Sequence, residues 1–328
     1  ALRTALLNSI EIMKQHPVRL LASKRSAGKE IAFMGKTYTV EEATFDSFKG
    51  MDIALFAGGS ISKDFAPHAV KAGAVVIDNS SAFRMDPEVP LVVPEVNPQA
   101  ILKHKGIIAN PNCSTIIMVM ALKPIYDLAK IKRVIVSTYQ AVSGAGKEGI
   151  DELDAQVRDH SEGREMTANI LPSASAEKHY PIAFNLIPQI DVFCDNLYTK
   201  EEMKMVNETK KIMEDYEMRI TATTIRVPVY RSHSESVNIE LEKEVDLGAM
   251  REALAKFPGV TVQDDPSKQE YPMPLYTSEK DDVYVGRLRR DESCEKSYNI
   301  WVVGDQIRKG AALNTLQIAE TMIKNGWI

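Results

Sequence analysis

Three runs of continuous apolar residues decide how the first part of this chain can fold: DIALFAGG from Asp52, AVVIDNS from Ala74 and GIIAN from Gly106. A strand that is apolar throughout must be covered on both faces. That is the situation of a strand in a parallel sheet with helices on each side. The segment between the first two runs, SISKDFAPHAVKAG, reads as a helix with Gly73 at its C-terminal end. Upstream, ALRTALLNSIEIMKQH reads as an amphipathic helix ended by Pro17, VRLLAS as a buried strand, and IAFMGKTYTV as a hairpin turning at Gly35. Residues 1–80 therefore predict a parallel, doubly wound α/β sheet.

The rest is of mixed type. CSTIIMVMALKPIYDLAK is a helix apolar nearly all round at its start, so it should be buried. KRVIVSTYQAV follows as a strand and IDELDAQVRDH as a polar helix. Residues 160–195 are irregular and hold several prolines. EEMKMVNETKKIMEDY is a highly charged helix, TATTIRVPVY and ESVNIELEKEV are strands, and LGAMREALAKF is a helix. DVYVGRLRR and SYNIWVVGD form an antiparallel pair, and KGAALNTLQIAETMIKNGW is a closing helix.

Composition removes whole classes of function. A net charge of −5 and a pI near 5.8 give no basic surface for nucleic acid or an anionic membrane. No apolar run reaches the roughly 18 residues of a membrane helix, and no secretory signal opens the chain. The cysteines, Cys113, Cys194 and Cys294, are scattered and odd in number, without a CxxC or Cys/His cluster. This argues against a structural metal or a disulfide scaffold and for a reducing, cytoplasmic setting.

One thiol stands at an unusual place. In IIANPNCSTIIMVM the apolar run stops at Asn-Pro-Asn, and Cys113 opens the next helix. Unpaired backbone N–H groups and the helix dipole favour a thiolate there. A small buried hydrophobe is the competing reading. A nucleophilic thiol needs a base. His16, His68, His104 and His160 read as surface residues, whereas His179, in an irregular stretch, stays open. His233 lies in RVPVYRSHSES between two strands, with Arg226 and Arg231 near in sequence. Arg226 and His233 are seven positions apart with a proline between, so a shared strand face does not follow. GAGKEG, residues 144–149, is a literal G-x-G-x-x-G, but the strand before it ends in polar residues and the lone match is weak. After VRLLAS, the residues Ser23, Arg25 and Ser26 suit a 2′-phosphate and so NADP; a polar turn is the alternative.

NPNCST, STYQAVSGAGKEG and TTIRVPVYRSHSES, with LLASKRSAGK and DNSSAFRMDPEVPLVVPEVN upstream and AALNTLQIAE at the end, resemble aspartate-semialdehyde dehydrogenase of the bacterial type, in order across nearly the whole chain. The resemblance implies a Rossmann-like NADP domain (residues 1–112 with 306–328) and an α+β catalytic and dimerisation domain with a mixed sheet (residues 113–305). It implies a homodimer. It also implies an NADP-dependent, phosphorylating aldehyde dehydrogenase, which works in reverse in lysine, threonine and methionine biosynthesis. β-Aspartyl phosphate is reduced to aspartate semialdehyde through a thioester, with release of phosphate.

By motif position, Cys113 is the nucleophile, His233 the general acid/base and Gln140 a positioning residue. Arg226 holds the substrate carboxylate by a two-pronged contact, and Glu201 holds the amino group. Arg84, Lys204 and Asn112 hold the phosphate. Arg25 and Ser26, with Ser23 beside them, match the 2′-phosphate position. Gly59 and Ser60 approach the adenosine side. Ser143 and Gly144 contact the cofactor near the nicotinamide, towards which Asn314 and Gln317 reach. The family's opening strand and glycine loop would precede Ala1, as a segment of roughly 15 to 20 residues. The rival readings are another phosphorylating aldehyde dehydrogenase, such as an N-acetyl-glutamyl-phosphate reductase or a glyceraldehyde-phosphate dehydrogenase, a papain-type cysteine hydrolase, and a truncated, non-catalytic paralogue.

Overall fold

The computed structural model describes residues 16–33 and 35–328. The helix expected at the start of the chain lies outside the described residues. In chain order the strands are β1 (Leu21–Ala22), β2 (Glu30–Phe33), β3 (Lys36–Thr39), β4 (Glu41–Glu42), β5 (Ile53–Phe56), β6 (Val75–Asp78), β7 (Ile107–Ala109), β8 (Ile131–Gln140), β9 (Arg219–Arg226), β10 (His233–Leu241), β11 (Val260–Val262), β12 (Val283–Arg290) and β13 (Ser297–Gly304). The longer helices are α1 (Ser62–Lys71), α2 (Cys113–Leu128), α3 (Lys147–Ser161), α4 (Lys200–Met213), α5 (Leu247–Lys256) and α6 (Leu313–Asn325).

The chain divides into two compact units, one of residues up to Pro111 together with Ala311–Ile328, the other Asn112–Gly310. In the first unit, β5, β6 and β7 form a parallel sheet. Side chains alternate across it, so each strand feeds two cores. Ile77 and Ile108 pack with Ile318, Ala319 and Met322 of α6. Ala54 and Val76 pack with Ala66 and Ala69 of α1. Helices on both faces are what the continuous apolar runs required. VRLLAS departs from its reading as a buried strand. Only Leu21 and Ala22 enter a ladder, with Glu41 and Glu42 in a separate two-stranded sheet, and both are only partly buried. The hairpin at Gly35 forms as expected, β2 pairing with β3 around a left-handed glycine, φ 72°.

The second unit is built on a six-stranded mixed sheet in the order β11-β12-β13-β10-β8-β9. β8–β9 and β11–β12 are parallel, and the other pairs are antiparallel. The short strand β11 had no sequence signal. Helix α2 lies over β8 and β13 and against α4. Its residues Ile116 to Met120 have no measurable exposure. Each such side chain contributes about 1.5–3 kcal/mol relative to exposure, so the start of α2 is firmly anchored. Helix α4 begins with a capping box, Thr199 and Glu202 satisfying each other's backbone N–H groups.

Candidate active site

The sheet register brings the polar residues together. Gln140 ends β8 and pairs with Arg226 at the end of β9. On the other side of β8, Ser234 pairs with Tyr139, which brings His233 alongside Gln140. Arg226 and His233 thus sit on separate strands, flanking one glutamine. Sequence spacing could not show this.

Cys113 is the first residue of α2. Asn112 caps the helix, its side-chain oxygen accepting from the N–H groups of Ser114 (3.1 Å) and Thr115 (3.3 Å). Its amide nitrogen donates to Glu201 (3.0 Å), and its backbone N–H donates to Glu208 (2.6 Å). Gln140 also donates to Glu201 (3.2 Å) and to Thr138 (3.3 Å). Lys204 bridges Glu201 (3.2 Å) and Asp191 (3.1 Å). Burial pushes the Glu201 carboxyl up, but the Lys204 charge and the bonds from Asn112, Lys204 and Gln140 outweigh it and hold Glu201 below the usual carboxylate range. Burial works against the Lys204 charge as well, yet Glu201 and Asp191 leave its ammonium above its ordinary value.

Arg226 is buried. Burial lowers its guanidinium from the usual value, while Glu201 and Cys113 oppose that shift. One terminal nitrogen, Nη1, donates to the carbonyl of Ala141 (2.7 Å), and Nε has no partner among the described residues. His233 is fully buried. Burial, then the positive charge of Arg226, hold its imidazole well below its ordinary value. Its Nδ1 accepts from the Ala141 N–H (3.1 Å), so the neutral ring carries its proton on Nε2. That Nε2 has no partner among the described residues.

Gly144 leaves no free room for a side chain unless Arg226 moves. A Cβ there would stand 2.7 Å from Arg226 Nη1 and 3.3 Å from His233 Cε1. Gly310 is similarly tight, its would-be Cβ 3.1 Å from the Cβ of Cys113.

Several members of the site carried no recognisable signal. Gln306 donates to the Ser143 hydroxyl and accepts the Ser232 N–H (2.9 Å). Ser232 is buried and left-handed, φ 70°, a conformation that costs about 1 kcal/mol or more for a residue with a Cβ. Gln306 therefore steadies the backbone just before His233. Asp191 was also missed. Glu208 was legible in principle, since it stands seven residues after Glu201 and shares its helix face.

The remaining sequence candidates belong to the first unit. Ser23 and Arg25 are exposed and Ser26 half-exposed around the short turn Lys24–Ser26 after β1. A cation and two hydroxyls there fit a phosphate group. Gly59 is left-handed, φ 64°, and nothing lies within 4 Å of where its Cβ would be, so the backbone beside Ser60 is open to close approach. Arg84 is buried and donates to the carbonyl of Asn79 (3.2 Å). Asn314 is fully buried, its amide donating to Val92 (2.9 Å) and Asn110 (2.7 Å). Gln317 donates to Glu95 (3.0 Å). His104, expected at the surface, is partly buried, accepts the Gly106 N–H (3.0 Å) and has its pKa lowered by burial. No three His, Cys, Asp or Glu among the described residues are grouped to hold a metal, and no described helix is long and apolar enough to cross a membrane.

Known proteins share this plan. The family model described as "Semialdehyde dehydrogenase, NAD binding domain" matches residues 6–104, and "Semialdehyde dehydrogenase, dimerisation domain" matches residues 122–309. The aspartate-semialdehyde dehydrogenase of Aquifex aeolicus is 56% identical over 313 residues, 94% of this chain and 90% of that protein. This chain belongs to the aspartate-semialdehyde dehydrogenase family. Among other members of that family, the Bacillus subtilis protein is 54% identical over 307 residues, covering 93% of this chain and 89% of its own length. A crystal structure of aspartate semialdehyde dehydrogenase II from Vibrio cholerae, complexed with ASA, superposes with a TM-score of 0.90 at 44% identity. It covers 98% of this chain and 94% of its own.

Proposed function

We propose that this chain reduces β-aspartyl phosphate to aspartate semialdehyde, and catalyses the reverse, phosphate-dependent oxidation, by way of a thioester on Cys113. One observation carries the reading. A cysteine opens a buried, capped helix in the unit that also assembles Gln140, Glu201, Lys204, Arg226 and His233.

In the reductive direction the Cys113 sulfur attacks the acyl carbon, the carbon–oxygen bond to phosphate breaks, and a thioester remains. NADPH, when bound, would supply the hydride that reduces that carbon. The C–S bond then breaks, and the thiolate leaves the aldehyde. The helix N-terminus and Arg226 favour the sulfur anion. His233 fills the acid/base role. With its proton on Nε2, the neutral ring donates a hydrogen bond to the substrate oxygen as negative charge gathers there. Arg226 takes the substrate carboxylate with the N–H groups that Ala141 leaves it. Glu201, ionised and acceptor-rich, takes the ammonium, and Lys204 takes the phosphate. Gln140 holds Glu201 and the acyl group in place.

The turn Ser23–Ser26 holds the cofactor's 2′-phosphate, with Arg25 as its cation. Gly59 and Ser60 serve the adenosine side, and Ser143 and Gly144 the nicotinamide. The match to a dimerisation domain over residues 122–309 supports a homodimer.

The test is reduction of NADP+ by aspartate semialdehyde, with and without phosphate, in the parent and in Cys113→Ala. The reading expects turnover that requires phosphate and disappears in the variant. Turnover that survives loss of the thiol overturns it.

A further inference from the structure

Glu235 has no place in the chemistry so far, yet its position invites one. It lies on β10 two residues after His233, so both side chains leave the same face of the sheet, about 6.6 Å apart along the strand. Its register partners are Thr138 on β8 and Val302 on β13. Thr138 is the residue that accepts from Gln140, and Gln140 donates onward to Glu201. Glu235 therefore shares a sheet face with His233 and stands beside the chain of bonds that fixes the Glu201 carboxylate.

Glu235 has no measurable exposure, and neither carboxyl oxygen has a hydrogen-bond partner among the described residues. An ionised carboxylate in such a place would lose its hydration and gain nothing in exchange. The side chains beside it on this face offer no charge: Val136, Thr138 and Gln140 on β8, and Ile300, Val302 and Gly304 on β13. Among the titratable groups on the elements around it are His233 itself, Arg226 on β9, Cys113 on α2, and Glu201, Glu202, Lys204 and Glu208 on α4. The cations among them are engaged elsewhere. Arg226 donates to Ala141, and Lys204 pairs with Asp191 and Glu201. Burial, and then the negative charge of Glu201, push the Glu235 carboxyl well above the usual carboxylate range.

We propose that Glu235 is a positioning residue for this site: it stays an uncharged acid in the working enzyme, so that no second negative charge stands near His233 and Glu201, and its ionisation disarms the site. Charge at position 235 would repel Glu201, loosen the Gln140–Thr138 contact and draw a proton onto His233. The effect reaches the substrate through those residues. The kinetic part of this inference rests on the proposed reductase activity; the thermodynamic part does not.

The sign of the stability effect follows from the shift. The carboxyl ionises near 4.5 when unfolded and well above that when folded. Its contribution to stability is therefore complete below about pH 4.5 and is lost as pH rises toward the folded value, because the folded state holds the proton longer. Glu235→Gln removes the titration while keeping the shape of the neutral acid. Its melting temperature should gain on that of the parent as pH is raised from 5 to 9. In the same series, the alkaline fall of kcat/KM for aspartate semialdehyde should move to higher pH or vanish in the variant. A melting-temperature difference that is flat across pH overturns the uncharged acid. A difference that grows with pH beside superimposable kinetic profiles overturns the positioning role. Glu235→Met, apolar and of similar length, should show the same pH-dependent gain, and it supplies the comparison should the glutamine variant fail to fold. If the parent itself shows no turnover, the reductase reading fails while the thermal comparison still judges the acid.

Discussion

Consider Gly144→Ala. Gly144 is exposed and its φ lies outside the left-handed region, so the backbone tolerates an alanine. Global stability should fall by no more than the worth of the buried contact the methyl disturbs, about 1.5–3 kcal/mol. The new methyl group has nowhere to go. It would stand 2.7 Å from Nη1 of Arg226 and 3.3–3.4 Å from His233 Cε1 and Nε2. The imidazole is fully buried and cannot retreat far, so the guanidinium must give way. Doing so strains or breaks its 2.7 Å bond to the Ala141 carbonyl and re-aims the N–H groups meant for the substrate carboxylate. A hydrogen bond involving a charged partner contributes about 1.5–3 kcal/mol. At about 1.4 kcal/mol per tenfold, kcat/KM for aspartate semialdehyde should fall by roughly 10- to 100-fold. The loss should lie mainly in KM if, as proposed, Arg226 holds the same carboxylate in ground and transition states. Steady-state kinetics with both substrates varied, beside a thermal melt, reads this out. An unchanged kcat/KM, or a loss confined to the KM for NADP+, refutes the reasoning that Arg226 is the group displaced.

Two further outcomes follow from the site. His233→Ala removes the Nε2–H and should lower kcat by about 10²–10³, whereas His233→Gln, whose amide N–H reaches the same place, should recover part of that loss; equal activity of the two variants in a turnover assay would mean that the donor role is wrong. Glu201 ionises below the usual carboxylate range in the folded chain, so the stability it contributes is present above about pH 4.5 and is lost as pH falls through the lower folded value. Glu201→Gln should accordingly flatten the acid side of the stability curve, which calorimetry from pH 3 to 7 would reveal as a shallower slope than that of the parent.

Much of this was legible in the sequence because the signals were local. Continuous apolar strands announced a sheet covered on both faces, and a thiol after Asn-Pro-Asn marked a helix start. The antiparallel pairing of β12 with β13 also followed from alternation. What stayed hidden was non-local. Arg226 and His233 meet through the register of β9 and β10 on β8, which no spacing encodes. Gln306 matters because Ser143 and Ser232 present a hydroxyl and an N–H to it, and both are distant in sequence. Glu235 looked like one more residue of an alternating strand, since a buried carboxyl without partners has no pattern of its own. VRLLAS misled for a related reason: apolar composition alone does not say which strand it will pair with, and among the described residues Leu21 and Ala22 pair only with Glu41 and Glu42.

The division of the chain at Pro111 and Gly310 also sets an order of events during synthesis. Leu313, Leu316, Ile318, Ala319 and Met322 of α6 complete the hydrophobic cores around β5, β6 and β7, yet the ribosome makes them only after the whole of residues 112–310. Domains tend to fold as units while the chain emerges. The inserted unit can finish its sheet first, whereas the unit that began first must hold β5, β6 and β7 with one face only partly covered, by Val92, Ala100 and Ile101, until α6 arrives. Nascent chains halted before Leu313 should therefore expose Ile77 and Ile108 to chaperones, while the helix that Cys113 opens is already packed.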